Sequence, residues 1–577
     1  MSFNFLDECH FMKRFAILLK AKTIGWSFIF ALLLSLFSPL AVANDRQQTL
    51  VLIGGALTTC SSMSEKNCLA DSVPKGKKTN LYQFSKTAIK QIERNWPSDN
   101  QHNKVQTIRA LNQLASVQSA SISKRDLLWL WRDFNDEQLS GLSDQEYHFV
   151  IDMLEQPVTD KQEKRVKETV AVASNIEPAS NEIVNFIAAS TKVKTTTPHL
   201  LAITASSRDP YEAADFYEGL LTLDGITSEW LPLTPALAKA VAKNRCDLLA
   251  QFREQEMAVF NREHIYPDRI QAEHALCEKG AEHLVAIIEA STGVMFNGGD
   301  QSLTRQVLFD EQGHPYLWTT ALQNRPVLIG TSAGTALQSG GRNSQGAVPM
   351  ISNGTSLSAL RFGAYGTDAP SERIANANGA SLNQDSLTYQ ALGGLGSFNY
   401  GVLDTHFSER NRTARLATLL KATNQTHGFG IDETTALVVI TSPSSQLMTV
   451  VGKHGVVHLT QRTDQSVGYS YWPAGAVIMP TATGFALSQR SIDNALSPIA
   501  IPALPSVRFN DLLTEGKLRS LTQAMCLTAA NAAQGQQNEF LIDLKATPET
   551  AYHRLNSGKF GCAIEKLTVE FSSPTSR

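Results

Sequence analysis

Short apolar runs alternate with amphipathic stretches along most of the chain, and the runs end in glycine or in polar residues. Residues 49–53 (TLVLI) lead into a Gly-Gly pair, which is typical of a buried strand that enters a tight turn. Residues 199–204, 293–296 and 326–329 have the same character. Because helix-patterned segments separate these runs, the pattern predicts a mostly parallel sheet with helices on both faces.

Two long stretches carry the three- and four-residue spacing of amphipathic helices. The first covers about residues 80–192 and predicts an inserted helical layer. The second covers about residues 235–290, where Thr234 suits the N-cap and Pro235 the first helical position. Residues 351–392 are rich in Ser, Gly, Asn and Ala, which predicts a long surface excursion that would act as a lid.

Composition and the N-terminus indicate the cellular setting. A net charge of -3 over 577 residues gives no basic field for nucleic acid or an anionic membrane. Lys13 and Arg14, an apolar run at 26–37 and the small residues Ala41-Val42-Ala43 match an export signal. An uncleaved membrane anchor is the alternative. We expect cleavage after residue 43, no membrane contact afterwards, and a periplasmic or secreted protein.

Six cysteines follow the predicted signal, and an even number in an exported chain predicts disulfides. Because the cysteines fall into three groups that are local in sequence, we favour pairing within each group. These pairs are Cys60–Cys68, Cys246–Cys277 and Cys526–Cys562. The alternative is a metal site built from His274 and Cys277, three residues apart on a predicted helix. That site lacks a second ligand pair, so we expect neither a metal nor another cofactor.

Residues 330–334 (GTSAG) form a G-x-S-x-G motif directly after an apolar run. The two glycines permit the strained strand-to-helix turn that exposes a nucleophilic serine, here Ser332. In such turns the amide N–H groups at the helix start, beginning with Ala333, face a developing oxyanion. An ordinary strand-to-helix turn is the alternative. The motif in this context predicts a serine hydrolase.

Two further motifs also follow apolar runs. His406 lies 74 residues after Ser332 in the segment LDTHF and is a candidate general base. The alternative is a histidine on a surface loop. Residues 297–301 (NGGDQ) contain two glycines, and the Gly299 N–H would complete an oxyanion hole with the Ala333 N–H. Because the carboxyl ends of parallel strands meet at one edge of a sheet, we expect the three motifs to lie together.

The segments FNGGDQ, GTSAG, LDTHFSERNR and GFGIDETTALVV occur in this order, and together they resemble the cyanophycinase family, with dipeptidase E as a more distant relative. The resemblance covers roughly residues 49–59 and 195–460. It implies a flavodoxin-like α/β sandwich, related to class I glutamine amidotransferase domains. It also implies that Ser332 is the nucleophile and His406 the base. The helical region and the C-terminal tail lie outside the family pattern.

The same resemblance implies a substrate. Family members of the cyanophycinase type cleave β-aspartyl-arginine units from an aspartate polymer that is decorated with arginine. The positions that match the surroundings of that substrate are Gln301, Asp404, Arg410, Arg412 and Arg415. Arginine side chains would hold substrate carboxylates in bidentate fashion, and Asp404 would hold the substrate guanidinium. A solvated surface cluster is the alternative for the arginines.

The chain departs from the family pattern in two places. Thr405 stands where cyanophycinases usually carry Gln, so the substrate loop differs. Relatives also place an acid shortly after the nucleophile helix, whereas no Asp or Glu occurs between Ala333 and Thr367. The third member of the triad is therefore open. The candidates are Asp368, Glu372, Asp404 and Glu433, and a water molecule in place of an acid is the alternative.

These patterns divide the chain into five segments. They are a signal peptide at 1–43, the first strand and start of the catalytic domain at 44–75, a helical insertion at 76–194, the catalytic α/β domain at 195–480, and a C-terminal extension at 481–577. The predicted function is an exported serine isopeptidase that acts on a β-aspartyl-arginine peptide or polymer, with no nucleic-acid partner and a homodimer left open. The alternatives are an α/β-hydrolase esterase and a catalytically inactive binding protein.

Overall fold

Two large β-sheets form the framework of the described residues, which belong to one compact unit. The structure, a computed structural model, describes residues 47–370, 382–442, 445–463, 465–497, 502, 504, 508–556 and 561–573. The predicted signal peptide at 1–43 and Glu372 lie outside the described residues. In the part of the chain that the structure describes, no helix is long and apolar enough to cross a lipid bilayer.

The central sheet has nine strands, and the first strand of the chain lies at its middle. In sheet order the strands are Gly484–Leu487, Val477–Thr481, Ser445–Gly452, Thr435–Ser442, Gln48–Ile53, Val327–Thr331, Gly293–Phe296, His199–Ile203 and Thr227–Trp230. The last five are parallel, and the first four pair antiparallel. The sheet is therefore parallel in one half only, because tight hairpins join strands in the other half.

A second nine-stranded sheet contains the strand that leads to His406. Its strands are Val402–Thr405, His427–Ile431, Gly455–Gln461, Ser466–Pro473, Cys562–Ser572, Phe540–Lys545, Ala532–Gln537, Arg508–Asn510 and, beside Cys562–Ser572, Ala551–Arg554. The sequence pattern indicated one sheet, whereas the described residues form two large sheets and three small ones of two or three strands. An apolar run indicates that a strand is buried, but it does not indicate which other strands that strand pairs with.

The C-terminal segment at 481–577 is part of the second sheet. It contributes five of the strands, from Arg508–Asn510 to Cys562–Ser572, together with the helix Lys517–Thr528 that packs against them. The predicted boundary at residue 480 falls inside the strand Val477–Thr481 of the central sheet. The segment is thus continuous with both sheets and is not packed as a separate unit.

Helices surround the sheets and fill most of the segment before residue 195. They are Lys86–Arg94, Gln101–Val117, Lys124–Ser140, Asp144–Leu154, Pro178–Lys192, Pro210–Leu221, Pro235–Lys243, Leu249–Met257, Arg262–Ile265, Pro267–Ala290, Gln301–Gln306, Thr319–Gln323, Ala333–Ala336, Ser356–Phe362, Thr413–Thr423, Gln489–Asp493 and Lys517–Thr528. The predicted helical stretch at 235–290 is thus divided into four α-helices and a 3-10 helix at Cys246–Leu248, and the last α-helix is kinked at Gly280. Thr234 caps the first of them, because its hydroxyl accepts the N–H of Leu237.

Alternate residues of the first strand face two different cores. Leu50 and Leu52 are buried in the core that the two sheets share, whereas Val51 packs beneath the helix Pro178–Lys192. Burial on both faces accounts for the uninterrupted apolar run of this strand. Because the helix packs on the central sheet, the last element of the predicted insertion at 76–194 is part of the main α/β layers.

The structure confirms all three predicted disulfides. The bridges are Cys60–Cys68, Cys246–Cys277 and Cys526–Cys562. The third joins the helix Lys517–Thr528 to the strand Cys562–Ser572. Since Cys277 is bonded to Cys246, it is not available to form a metal site with His274.

We expect the Cys526–Cys562 bridge to stabilise the protein more than the Cys60–Cys68 bridge. Their sequence separations are 36 and 8 residues. Loop entropy then predicts that C526S/C562S loses about 4 kcal/mol, and C60S/C68S about 2.5 kcal/mol, of the free energy of unfolding. Urea unfolding of the mature protein measures both losses, and non-reducing peptide mapping checks the pairing. Equal losses would contradict the argument from loop length.

Candidate active site

Ser332 lies in a sharp turn at the end of the central-sheet strand Val327–Thr331. Its φ of 52° is in the left-handed region, where a residue other than glycine is strained. Its amide donates to the carbonyl oxygen of Ile53 at 3.0 Å, and the short helix Ala333–Ala336 follows directly. Gly298 lies so close that a side chain there would bring its Cβ within 3.3 Å of Ser332 Cβ. The turn presents the Ser332 hydroxyl to a cavity.

His406 reaches Ser332 from the second sheet. It follows the strand Val402–Thr405, and its Nε2 lies 2.7 Å from Ser332 Oγ. The His406 amide donates to the carbonyl oxygen of Gly54 at 2.8 Å, which holds the loop against the central sheet. A Cβ on Gly55 would lie 2.3 Å from the imidazole ring, and the φ of Gly55 is 107°. Only glycine satisfies both conditions.

Glu433 extends this hydrogen-bonded line behind His406. Its Oε1 lies 2.6 Å from His406 Nδ1, while Nε2 of the same ring contacts Ser332. Glu433 follows the strand His427–Ile431, which pairs with the strand that leads to His406. A carboxylate at Nδ1 selects the tautomer in which Nε2 can accept the serine proton. The three side chains have the arrangement of a catalytic triad.

The other acids considered for this position lie elsewhere. Asp404 binds arginines, and Asp368 accepts a hydrogen bond from Gln390 Nε2 at 2.6 Å. Glu372 is outside the described residues. The sequence does contain a signal for Glu433, because it follows an apolar run in the segment GFGIDE, as the serine and the histidine follow theirs.

The surroundings of His406 favour its neutral form. Burial lowers the pKa of the imidazole below its ordinary value; Glu433 opposes that effect, and the charges of Arg410 and Arg412 add to it. A neutral imidazole at pH 7 can take a proton from the Ser332 hydroxyl. The rate of a reaction that uses this base should therefore fall on the acidic side of its pH profile at a pH below the usual imidazole range.

Gly299 and Ala333 line the cavity next to Ser332. Among the described residues, neither of the two amide N–H groups donates a hydrogen bond to another protein group. The φ of Gly299 is 141°, and a Cβ there would lie 2.1 Å from the carbonyl oxygen of Ser206. Two unused amide donors beside a serine hydroxyl are what an oxyanion hole requires.

Asp404 and Arg415 form a buried pair in the cavity wall. Arg415 Nε and Nη2 donate to the two carboxylate oxygens of Asp404 at 2.9 and 2.6 Å, and Nη1 donates to the carbonyl of Gly354. Burial acts to raise the pKa of Asp404, but Arg415 and Arg412 hold it below its ordinary value. Asp404 therefore binds the protein's own arginines, where the sequence led us to expect a substrate guanidinium.

Arg412 and Arg410 are less completely paired. Arg412 Nη1 lies 3.4 Å from Asp404 and donates to the carbonyl of Thr405 at 2.8 Å. Burial lowers the pKa of Arg412 to about 9, and the charges of Arg415 and Arg410 add to this effect. Arg410 is exposed and has no ion pair within the described residues. The cluster thus has more guanidinium than carboxylate charge, and an anion in the cavity would balance it.

Gln301 connects the cavity to the predicted surface excursion. Its Nε2 donates to the carbonyl oxygens of Ile351 and Ser352 at 2.6 and 3.0 Å. Both belong to the strand Met350–Asn353, so the excursion supplies part of the cavity wall. The cavity has a volume of about 490 Å³, and it shares Asp300 with two wider clefts of about 1040 and 980 Å³. This space accommodates an extended ligand.

Comparison with known proteins adds little to this geometry. No protein-family profile matches the chain. A crystal structure of a peptidase from an acI-B1 Actinobacterium is similar to it at 17% identity and a TM-score of 0.29, over 52% of this chain and 91% of that chain. A likeness of this size carries no conclusion about the reaction.

Across the described ranges, no group of three or more His, Cys, Asp or Glu side chains is arranged to hold a metal ion.

Replacement of Glu433 should slow the reaction of Ser332 and leave the fold intact. In Glu433→Gln the neutral amide cannot stabilise the imidazolium that forms when His406 takes the serine proton. We expect the rate of Ser332 labelling by a fluorophosphonate to fall by roughly 10²- to 10⁴-fold. Asp368→Asn, which removes an acid of a neighbouring cleft, is the matched control. Equal labelling of both variants and the wild type would exclude Glu433 from the triad.

Proposed function

We propose that this chain is an exported serine hydrolase that cleaves acidic isopeptide substrates of the β-aspartyl-arginine type. The observation that carries the proposal is the hydrogen-bonded line from Ser332 through His406 to Glu433, in a cavity with excess arginine charge. The resemblance of four ordered segments to cyanophycinases supports the substrate class. Acyl transfer requires a serine with a base, an acid that orients the base, and free amide donors for the oxyanion.

In the proposed reaction, Ser332 Oγ attacks the carbonyl carbon of the scissile amide while His406 Nε2 takes the hydroxyl proton. The N–H groups of Gly299 and Ala333 stabilise the oxyanion. His406 then gives its proton to the leaving nitrogen, the C–N bond breaks, and an acyl ester remains on the serine. Water that His406 deprotonates hydrolyses this ester and restores the hydroxyl. Glu433 orients the imidazole and stabilises its charged form.

The distribution of charge supports a substrate that carries groups of both signs. Arg410 and Arg412 have guanidinium donors that the protein does not use, and these would bind a carboxylate close to the scissile bond. Asp300, which the cavity shares with the wider clefts, would face a cationic group farther along the substrate. A β-aspartyl-arginine unit contains a free carboxylate and a guanidinium.

Export is part of the proposal. Three disulfides are present, and such bonds persist in the oxidising compartments outside the cytosol. The charged, apolar and small-residue pattern of residues 1–43 supports the same compartment. Both observations favour a periplasmic or secreted enzyme that meets its peptide or polymer substrate there.

The two alternative functions explain fewer observations. In α/β-hydrolase esterases the triad follows the chain order serine, acid, histidine. Here Ser332 precedes His406, and Glu433 comes last. A catalytically inactive binding protein would not need an acid behind the histidine, whereas Glu433 Oε1 lies 2.6 Å from His406 Nδ1, which favours the hydrolase.

Ser332→Ala should abolish hydrolysis while the fold survives, because a nucleophile has no substitute and the loss of one hydroxyl leaves packing nearly unchanged. The mature protein is incubated with cyanophycin and with a panel of β-aspartyl dipeptides, and the products are identified by mass spectrometry. Ser116→Ala, which changes an exposed serine of the helix Gln101–Val117 outside the cavity lining, is the control. Turnover by Ser332→Ala above a few per cent of the wild type would exclude the proposed nucleophile.

Arg410→Ala should weaken the reaction of acidic substrates selectively. A lost charge-assisted hydrogen bond amounts to about 1.5–3 kcal/mol, which is roughly a 10- to 150-fold decrease in kcat/KM. Arg410→Lys should restore only part of this loss, because an ammonium cannot form the two-pronged contact. The assay compares an acidic and a neutral substrate at pH 8, where the imidazole is neutral in every variant. Equal losses on both substrates would contradict a carboxylate-binding role.

A further inference from the structure

The C-terminal segment reaches the side of the triad that faces away from the cavity. The helix Lys517–Thr528 begins after Gly516, whose amide donates to the carbonyl oxygen of Ser408 at 2.8 Å. Ser408 is two residues beyond His406 in the same loop. The disulfide Cys526–Cys562 holds the other end of this helix on the second sheet. A helix outside the cyanophycinase resemblance thus contacts the catalytic loop directly.

Arg519, in the first turns of this helix, binds two carboxylates at once. Its Nη1 lies 2.5 Å from Glu409 Oε1 and 2.8 Å from Asp432 Oδ2. The second oxygen of Glu409 accepts the backbone N–H of Glu433 at 3.0 Å. The second oxygen of Asp432 accepts the N–H of Ser408 at 2.9 Å. Each carboxylate therefore joins Arg519 to the backbone beside one member of the triad.

The two carboxylates need this cation. Asp432 is fully buried, and burial together with the charge of Glu409 raises the pKa of Asp432 to about 6, against the effect of Arg519. His454 lies 3.9 Å from Glu409, but burial and the charge of Arg519 lower the pKa of His454 to about 4, so it is neutral and contributes no charge. Without Arg519, neither Glu409 nor Asp432 would have a positively charged partner within ion-pair distance among the described residues.

Other ionisable groups face the cluster from neighbouring elements. They are Arg410 and Arg412 on the His406 loop, Lys453 and His454 between two strands, Glu177 at the start of a helix, and Tyr471 on the second sheet. Tyr471 donates weakly to Asp432 at 3.5 Å. Lys453 pairs with Glu177 at 2.8 Å. None of these groups contacts both Glu409 and Asp432, as Arg519 does.

We propose that Arg519 is a positioning residue of the triad, which holds the Glu433 backbone and the His406 loop through Glu409 and Asp432 and offsets part of their charge. The proposal rests on the proposed hydrolase function. It assigns a role to the C-terminal segment in the reaction itself. The guanidinium does not touch the reacting atoms and acts only through the two carboxylates.

The charge balance has a consequence that a purely structural contact would lack. Where Glu409 or Asp432 stays ionised, removal of the Arg519 charge makes the surroundings of His406 more negative, which stabilises the imidazolium and raises its pKa. Removal of the Glu409 charge leaves Arg519 opposite one carboxylate instead of two, which makes the same surroundings less negative and lowers that pKa. The midpoint on the acidic side of the pH–rate profile of Ser332 should therefore move in opposite directions in Arg519→Gln and in Glu409→Gln.

The test measures the rate of fluorophosphonate labelling of Ser332 in the mature full-length protein between pH 5 and pH 9. We expect the midpoint of Arg519→Gln to lie roughly 0.5–1 pH unit higher, so that this variant labels up to about tenfold more slowly at the acidic end of the range. Glu409→Gln should have a lower midpoint than the wild type. Arg519→Lys should recover most of the wild-type midpoint. Arg361→Gln, which breaks another ion pair between the C-terminal segment and the rest of the chain, should leave the midpoint unchanged.

Each outcome has a defined meaning. Opposite shifts in Arg519→Gln and Glu409→Gln support the proposal, and unshifted midpoints overturn it even if the plateau rates fall. Circular dichroism identifies variants that do not fold. If Arg519→Gln is among them, the midpoint of Glu409→Gln decides, and a wild-type value there overturns the proposal. A wild-type protein that does not label overturns the hydrolase function, whereas a labelled wild type with unshifted variants overturns the role of Arg519 alone.

Discussion

Three consecutive backbone carbonyl groups at the end of the first strand hold the catalytic loops together. The carbonyl of Ile53 accepts the Ser332 amide at 3.0 Å, that of Gly54 accepts the His406 amide at 2.8 Å, and that of Gly55 accepts the Thr434 amide at 2.9 Å. Thr434 directly follows the acid of the triad. An unpaired buried amide destabilises a fold by about 1–3 kcal/mol, so these bonds are a firm constraint. One short backbone segment therefore sets the positions of Ser332, His406 and Glu433.

This arrangement requires strain and close packing. Ser332 and His406 both have positive φ angles, of 52° and 46°. Such conformations persist only where the surrounding contacts over-determine them, and the bonds to the first strand supply those contacts. Gly55 has no side chain because the imidazole occupies the space that a Cβ would fill. The first strand can serve as the common support because it lies in the middle of the central sheet, with both faces buried.

The charges around the imidazole differ on its two sides. On the cavity side the guanidinium groups of Arg410 and Arg412 exceed the carboxylate charge of Asp404, which suits an anionic ligand. On the far side two further carboxylates lie behind Glu433, and Arg519 of the C-terminal helix pairs with both and offsets part of their charge. The second sheet carries both sides, because it supplies the histidine loop and the strands on which that helix packs.

The sequence alone predicted the candidate nucleophile, the candidate base and the pairing of the cysteines. Ser332, His406 and the three disulfides are readable from short segments, because an apolar run, a strained glycine turn and neighbouring cysteines are local signals. Only the tertiary structure decided that Glu433 faces the imidazole, that Asp404 binds arginines of the protein, and that the catalytic strands belong to two sheets. These outcomes depend on hydrogen bonds between segments that are distant in sequence. The pattern of apolar and polar residues records how deeply each segment is buried, but it does not record which segment it pairs with.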